Sequence, residues 1–414
     1  MVSFIHTADI HFGMENYGRI DQSKGIHSRL LDFEKALNFC IDFALEKEVD
    51  FFLFSGDAYK TANPTPTHQR LLMNCLLRLY KADIPVVLII GNHDNPLSYG
   101  KAHALDIFGQ IPLDGFHVIG KPTSLRLETK NGPVQIVGIP WPTRNTISLS
   151  NEHMHVSATE ITEYISAGVT KIIQGFAASL DTTLPAVLAG HLTVASGIFS
   201  GSEKKAVYGT DPLFTPAQLG ISPFDYVALG HLHRFQNVNN EKFPPIVYSG
   251  SIERVDFGER KEDKGFCHVT IHEKEMTTYN FIKTPTRPFI QIEARLYGSE
   301  NHTEQLIEEI EKYSLEDAVI KVLYHIPTHT KDRIDLTRIQ KACSAAWYIV
   351  GIFPVRAVEV RERRATLKVD MAISTLLEAY FDTKPEHAHE KETLIKKALE
   401  LNSQATSYEE RISD

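Results

Sequence analysis

The sequence has little cysteine, and what it has forms no pattern. Its 4 cysteines (Cys40, Cys75, Cys267, Cys343) are scattered with no Cys-x-x-Cys, which argues against a disulfide framework and predicts reduced, mostly buried thiols. No apolar run approaches the ~18 residues that a membrane span needs. The first residues, MVSFIHTADIHF, lack a basic n-region, and their short apolar part carries Asp9 and His11, so no signal peptide is expected. Positive charge is not in excess. Against 43 Lys and Arg stand 52 Asp and Glu, a net charge of −9. That balance gives a nucleic-acid binder no bulk support, although local field matters more than the sum. Repeats and low-complexity segments are missing too. What remains is a chain of 414 residues, 43% hydrophobic and 23% charged, globular in composition and long enough for two or three domains. The reduced thiols and the lack of a leader or span make a cytoplasmic protein the expectation.

Residues 1–94 alternate continuous Val/Ile/Phe runs with helical periodicity. VSFIHTAD, VDFFLFSGD and IPVVLIIG read as strands. Between them, Leu30, Leu31, Phe33, Leu37, Ile41 and Leu45 recur at helical spacing after Ser28, and a second helix enters through Pro64 and Pro66. Such runs separated by helices predict a parallel sheet buried on both faces. Residues 115–141 switch to shorter strands with a hairpin turn at Asn131-Gly132. A helix over about 157–180 leads to the strands PAVLAGH and FDYVALGHLH, and then to PIVYSGS, GFCHVTIHE and MTTYNFIK, which read as antiparallel. The expected fold is α+β: an α/β sandwich of two mixed β-sheets flanked by helices over 1–284, a small α+β capping domain over 285–365 and C-terminal helices over 366–414. A linker is expected at KTPTRP, 283–288.

Five of the apolar runs end in polar residues of one chemical kind: Asp9-x-His11, Gly56-Asp57, Gly91-Asn92-His93-Asp94, Gly190-His191 and Gly230-His231-x-His233. Sites in open α/β sheets form at the carboxyl ends of strands, so the five clusters are expected to converge. Side chains two apart on extended backbone point to one side, and the glycines let the backbone turn sharply beside a ligand. Two Asp, one Asn and four His make the inventory of a binuclear metal centre. Ligands of this kind without thiolate suit manganese, iron or zinc, while a magnesium-only site would use fewer imidazoles. Two ions about 3.5–4 Å apart need a bridging ligand, and Asp57, with two carboxylate oxygens, is the natural one. Other histidines fail the same criterion. His153 and His155 follow no apolar strand, His268 and His272 alternate with Val269 and Ile271 as solvent-face residues do, and His387 and His389 sit in a polar linker.

The ordered motifs DIH, GD, GNHD, GH and GHLH over residues 1–233 resemble the calcineurin-like metallophosphoesterase superfamily. GDAYKTANPTPTHQR, SGSIERVDFGERKEDKGF and the added C-terminal segments are similar to SbcD-type nuclease subunits, bacterial relatives of the double-strand-break repair nuclease. The resemblance implies Asp9, His11, Asp57 and His233 on one metal and Asp57, Asn92, His191 and His231 on the other. It implies His93 as the acid or phosphate-stabilising residue with Asp94 orienting it. It further implies two divalent ions, most often Mn2+ (Mg2+, Fe2+ and Zn2+ being alternatives). The implied activity is a 3′–5′ exonuclease on duplex ends and an endonuclease on single-stranded or hairpin DNA. The implied partners are DNA and an SbcC-type coiled-coil ATPase, with a homodimer inside a heterotetramer. The chain departs from the pattern at Lys60, where many members carry His or Asp; a lysine there suits a phosphate contact. Asn16, Tyr17 and Arg19 are candidates to border the substrate. The basic stretch VRERRATLK (360–368) and Lys204-Lys205 fit either phosphate contacts or a solvated surface. The apolar stripes Leu376, Leu377, Tyr380, Phe381 and Leu394, Ile395, Ala398, Leu399, Leu401 fit either the chain's own core or a partner. A small-molecule phosphoesterase, such as a nucleotidase or cyclic-nucleotide phosphodiesterase, is the alternative that the same site permits.

Overall fold

The structure, a computed structural model, describes residues 1–96, 101–110, 114–147, 157–201, 211–240, 242–298, 300–327, 330–356, 373–382 and 389–410. They fall into two compact units. The first comprises residues 1–294, 301–324 and 333–353; the second comprises the described residues of 295–300, 325–332 and 354–414. No described helix is long and apolar enough to cross a membrane. All four cysteines are free and buried.

In the first unit, β1 (Val2–Thr7), β2 (Phe51–Phe54), β3 (Val86–Ile89) and β4 (Phe116–Ile119) run parallel. The apolar runs of β2 and β3 are buried on both faces, as inner parallel strands require, while β4 at the sheet edge is only partly buried. Helix α1 (Ser28–Glu46) follows β1 and α2 (Pro66–Tyr80) follows β2. Thr65 and His68 close a capping box at the start of α2, with Pro66 in its first turn, where a missing N–H costs nothing. A short α3 (Asp106–Gln110) precedes β4. The expected hairpin forms between β5 (Thr123–Thr129) and β6 (Gly132–Ile139), Thr129 pairing with Gly132. Helix α4 (Ala158–Ser179) starts from a Ser157–Glu160 capping box. It leads to β7 (Ala186–His191), the short pair β8 (Thr193–Val194) and β9 (Leu213–Phe214), then β10 (Tyr226–Gly230), β11 (Gln236–Asn237), β12 (Ile246–Tyr248), β13 (Gly265–Glu273) and β14 (Met276–Lys283).

Two six-stranded sheets result, ordered β14-β13-β1-β2-β3-β4 and β11-β12-β10-β7-β6-β5. Both are mixed, as expected. β13 and β14 are antiparallel to their neighbours, whereas β12 is antiparallel to β11 and parallel to β10, so the antiparallel reading of PIVYSGS holds on one side of that strand only. Three apolar layers hold the unit together. Phe4, Phe51, Leu53, Val87, Val187, Ala228 and Val269 pack between the sheets. Phe33, Leu37, Phe52, Leu76 and Leu88 pack one sheet on α1 and α2, and Ile165, Val169, Leu188 and Leu229 pack the other on α4. Burying each large apolar side chain contributes about 1.5–3 kcal/mol. His268 belongs to the helix side of this arrangement, its ring edge-on to Phe43 of α1, and is half-buried instead of solvent-facing.

Beyond the sheets, β15 (Phe289–Arg295), β16 (Val319–Ile326) and β17 (Tyr348–Arg356) form a three-stranded sheet. Most of the segment expected as a small α+β domain lies in the first unit. A polar and aromatic seam ties it there. Arg287 makes a forked pair with Asp32 of α1 and lies over the Trp347 ring at 4.3 Å. Asp32 also receives the fully buried Arg29 at 2.8 Å. The expected boundary at residue 366 lies outside the described residues.

One polar residue crosses the central layer. His6 of β1 is fully buried, its ring nitrogens 3.2 Å from the Tyr226 hydroxyl and 3.2 Å from the Leu229 carbonyl of the opposite sheet. Burial pushes its pKa down from 6.5 to about 3. The unfolded chain therefore binds a proton that the folded chain refuses between those values, so this stability is present above about pH 6.5 and lost as the pH falls toward 3. In denaturant titrations between pH 6 and 4, His6→Gln should flatten the decline in unfolding free energy by about 1.4 kcal/mol per pH unit. An unchanged slope would contradict this role.

Candidate metal centre

Strand register sets the site. Thr7 pairs with Phe54 and Phe54 with Leu88, so the turns after β1, β2 and β3 leave one edge side by side. In the other sheet Gly230 pairs with His191. The polar turns of both sheets meet at this edge.

The local backbone differs from the extended geometry expected for Asp9-x-His11. Asp9, His11 and Asp57 are left-handed, with φ of 54°, 54° and 61°, and His231 has φ of 102°. Positive φ in a non-glycine residue costs on the order of 1–3 kcal/mol and persists only where its surroundings over-determine it. Here they do. Asp9 N donates to the Gly56 carbonyl at 3.0 Å and His11 N to the Asp57 carbonyl at 3.0 Å, so the strained turns are stitched to each other. The glycines serve the sharp turns, as expected, and a second purpose besides. A Cβ on Gly91 would collide with the Asp57 carboxylate, and one on Gly56 (φ 98°) with the His191 ring. Close approach of the chain to itself demands glycine at both positions, and the left-handed φ demands it again at Gly56.

The seven residues read from the sequence as metal ligands are brought together. Asp9, His11 and His233 form one group with ligand atoms within 4.8 Å; Asp9, Asp57 and His191 form another; His11, Asp57 and His93 a third. Asp57 Oδ2 lies 3.8 Å from His11 Nε2 and 3.3 Å from His191 Nε2, between the two sides. Asn92 Oδ1 is 3.0 Å from His191 Nε2 and 3.2 Å from His231 Nδ1. His231 joins through Asn92, and its backbone N–H donates to Asp9.

The donor set fits divalent cations on its own chemistry. His191 gives its Nδ1 proton to the Ser55 carbonyl at 2.8 Å, so Nε2 presents a lone pair to two oxygens, of Asn92 and Asp57. Three acceptors face one another unless a cation or proton lies among them. Without a metal the proton wins. Burial opposes charge on His191, but the Asp57 carboxylate raises its pKa to about 9. Burial likewise works against ionised Asp57, yet the surrounding imidazoles, His191 first, hold it well below the usual carboxylate range. At Asp9 burial outweighs the lowering by His191 and His233 and pushes the pKa up to about 7. Burial holds His11 well below its ordinary value and lowers His231. Neutral imidazoles around buried carboxylates are the state in which such groups ligate metals.

Two assignments change. Asp94 does not touch the His93 ring. It is fully buried and accepts the backbone N–H groups of Gly91, Asp57, Ala58 and Tyr59 at 2.9–3.3 Å. Burial, with the neighbouring Asp57 charge, pushes its pKa up to about 6. It pins the turn after β2 to the turn after β3 and is a positioning residue. His93 is oriented instead by the Lys60 carbonyl, 2.8 Å from Nδ1, while its backbone N–H donates to Asp57 at 2.8 Å. Its exposed ring lies edge-on to His11, centroids 5.0 Å apart. The Lys60 side chain is exposed beside this turn. Arg19 lies over Trp347 at 5.0 Å, Asn16 donates to the Val255 carbonyl, and Tyr17 packs edge-on to Phe257 and Phe289. Among the described residues no hydrogen bond or ion pair joins these three to the cluster. His153, His155, Lys204, Lys205, residues 360–368 and His387 lie outside the described residues.

Sequence reasoning missed several neighbours. Trp141 sets its ring 4.9 Å from that of His231, and Asp211 lies 3.2 Å from His231 Nε2. Glu259 is 2.7 Å from His233 Nδ1 and 2.9 Å from the Lys264 ammonium. Burial opposes its charge, but Lys264 and His233 hold its pKa at about 2. In SGSIERVDFGERKEDKGF acidic and basic residues alternate as on a solvated surface, and no periodicity marks Glu253, Glu259 and Lys264 as buried. The one signal was the resemblance of that stretch as a block.

Asp94→Asn replaces an acceptor of four N–H groups by one carrying its own N–H donors. Urea unfolding should show a loss of about 2 kcal/mol or more; a variant as stable as wild type would exclude the pinning role.

The family model described as "Calcineurin-like phosphoesterase" matches residues 2–235. Among solved structures, TT1561 of Thermus thermophilus is similar at 10% identity and TM-score 0.38, over 68% of this chain and 98% of that one. A dimetal phosphatase from Danio rerio is similar at 9% identity and TM-score 0.37, with the same coverage. The family match spans more than half of the 414 residues, every strand that feeds the centre included, and the chain belongs to the calcineurin-like phosphoesterase family, hydrolases of phosphoester bonds with a binuclear metal site.

Proposed function

We propose that this chain is the SbcD-type nuclease subunit of a DNA double-strand-break repair complex, hydrolysing DNA phosphodiesters with two divalent ions, Mn2+ first among them. The observation that carries the hydrolytic reading is the convergence of Asp9, His11, Asp57, Asn92, His191, His231 and His233 on one buried point. The polymeric substrate is supported by the two stretches similar to SbcD-type subunits and by the α+β segment that follows the core.

Asp9, His11, Asp57 and His233 would hold one ion and Asp57, Asn92, His191 and His231 the other. Such ions supply Lewis acidity and lower the pKa of water near the scissile phosphate. The chain's own groups do the rest. Asp57, anchored through the His93 N–H, sits between the two sides. His93 donates its Nδ1 proton to the Lys60 carbonyl, so Nε2 is the nitrogen that exchanges a proton with substrate. As water oxygen adds to phosphorus, one of its protons passes to solvent and the bond to the leaving oxygen breaks; His93, protonated on both ring nitrogens for this step, delivers its Nε2 proton to that oxygen and keeps its Nδ1 proton on the Lys60 carbonyl. Lys60 stands beside His93 as a phosphate contact.

The partner reading is an SbcC-type coiled-coil ATPase, with a homodimer inside a heterotetramer. It draws support from the second unit, whose helices Ile373–Asp382 and Lys391–Glu410 leave Tyr380, Leu399 and Leu401 exposed.

The test is manganese-dependent degradation of an end-labelled duplex, run beside p-nitrophenyl phosphate esters. Wild type should cleave both. Asp57→Ala should cleave neither, and His93→Ala should lose about 10²–10⁴-fold in kcat while still binding Mn2+. Ester hydrolysis with no DNA cleavage, even with the ATPase added, would replace the nuclease by a small-molecule phosphoesterase.

A further inference from the structure

His233 is gripped from behind by a buried ion pair. Glu259 ends the single 3₁₀ turn Phe257–Glu259 and is fully buried; Lys264 is 2% exposed. One Glu259 oxygen lies 2.7 Å from His233 Nδ1. The other accepts from Val255 N at 2.9 Å and lies 2.9 Å from the Lys264 ammonium. Lys264 also donates to the backbone carbonyl of His233 at 2.9 Å. Ring and backbone of this one histidine are thus held by the same pair. Burying two charges costs several kcal/mol of desolvation, and an apolar pair of like volume often serves stability as well. The arrangement therefore calls for a reason other than packing.

The chemistry supplies one. An ionised carboxylate only accepts, so the His233 proton must sit on Nδ1. The lone pair is then on Nε2, on the side of Asp9 and His11, whose own Nε2 is 3.0 Å away. A charged acceptor on the far nitrogen also makes the near one a better donor to a cation. Glu259 makes no contact with the groups on the Asp57–Asn92–His191 side among the described residues.

We propose that Glu259, held by Lys264, is a positioning residue that sets the tautomer of His233 and thereby the divalent-cation affinity of the Asp9–His11–His233 position. This rests on the binuclear reading above, and the experiment separates the two. The full-length, metal-free chain is titrated with Mn2+ by calorimetry as wild type, Glu259→Gln and the paired variant Glu259→Gln/Lys264→Met, which removes both buried charges together. Wild type should bind two ions. In each variant one ion should weaken by about 10–100-fold while the other keeps its affinity. Two ions bound with wild-type affinity in a folded variant would overturn the role of Glu259; a wild type that binds no Mn2+ would instead overturn the metal reading. A readout free of variants at Glu259 guards against loss of folding. In ¹⁵N-histidine spectra of the metal-free wild type, His233, identified by its disappearance in His233→Gln, should carry its proton on Nδ1. A proton on Nε2 would sink the proposal.

Discussion

The centre depends on one constraint: Asp57 is a carboxylate with 2% exposure at the meeting point of two sheets. A buried carboxylate without compensation costs several kcal/mol. Here the compensation is an imidazole on either side, His11 and His191, and the His93 backbone N–H. That solution creates the next problem. His191 gives one proton to Ser55 and turns its other nitrogen toward oxygens. Positive charge must be supplied among these acceptors, by a proton in the bare chain or by a cation. Satisfying Asp57 and binding metal are the same requirement stated twice.

The backbone bears a second cost to bring these groups together. Four of the seven candidate ligand positions—Asp9, His11, Asp57 and His231—have positive φ. Such strain persists where the flanking structure is rigid. The flanks are the two sheets, with Phe4, Phe51 and Val187 packed between them, and the Asp94 carboxylate clamping two turns through their N–H groups. The three apolar layers thus do more than stabilise the fold; they hold strained turns against relaxation.

Much of this was legible in the chain. Strands ending in Asp, Asn and His mark a site because a buried strand has no other use for them, and the capped helices and the Asn131-Gly132 hairpin follow from local chemistry. What escaped the sequence has physical causes. The side-chain spacing of Asp9-x-His11 predicts convergence on either extended or left-handed backbone, so the right residues were found for a partly wrong reason. The direction of Ile246–Tyr248 depends on which strand it pairs with, a non-local fact. Asp94 sits next to His93 in sequence but spends all its acceptors on backbone, which adjacency cannot reveal. Glu259 and Lys264 look like surface charges because burial of an ion pair leaves no periodic trace.

The same stretch that holds His233 also reaches the α+β segment. Val255 N donates to Glu259, while the next residue back, Arg254, bonds Thr286 and the Arg287 carbonyl and offers its own carbonyl to Arg29. Arg29 and Arg287 both end on Asp32, and Arg287 covers Trp347. A continuous polar net therefore runs from a candidate metal ligand to the base of the three-stranded sheet. Residues 249–266 are placed to join the two, because the contacts that orient His233 and those that seat the later segment belong to one run of chain. Substitutions in this run should disturb the orientation of His233 and the seating of the later segment together, whereas those confined to the Asn92–His191 side should leave that seating intact.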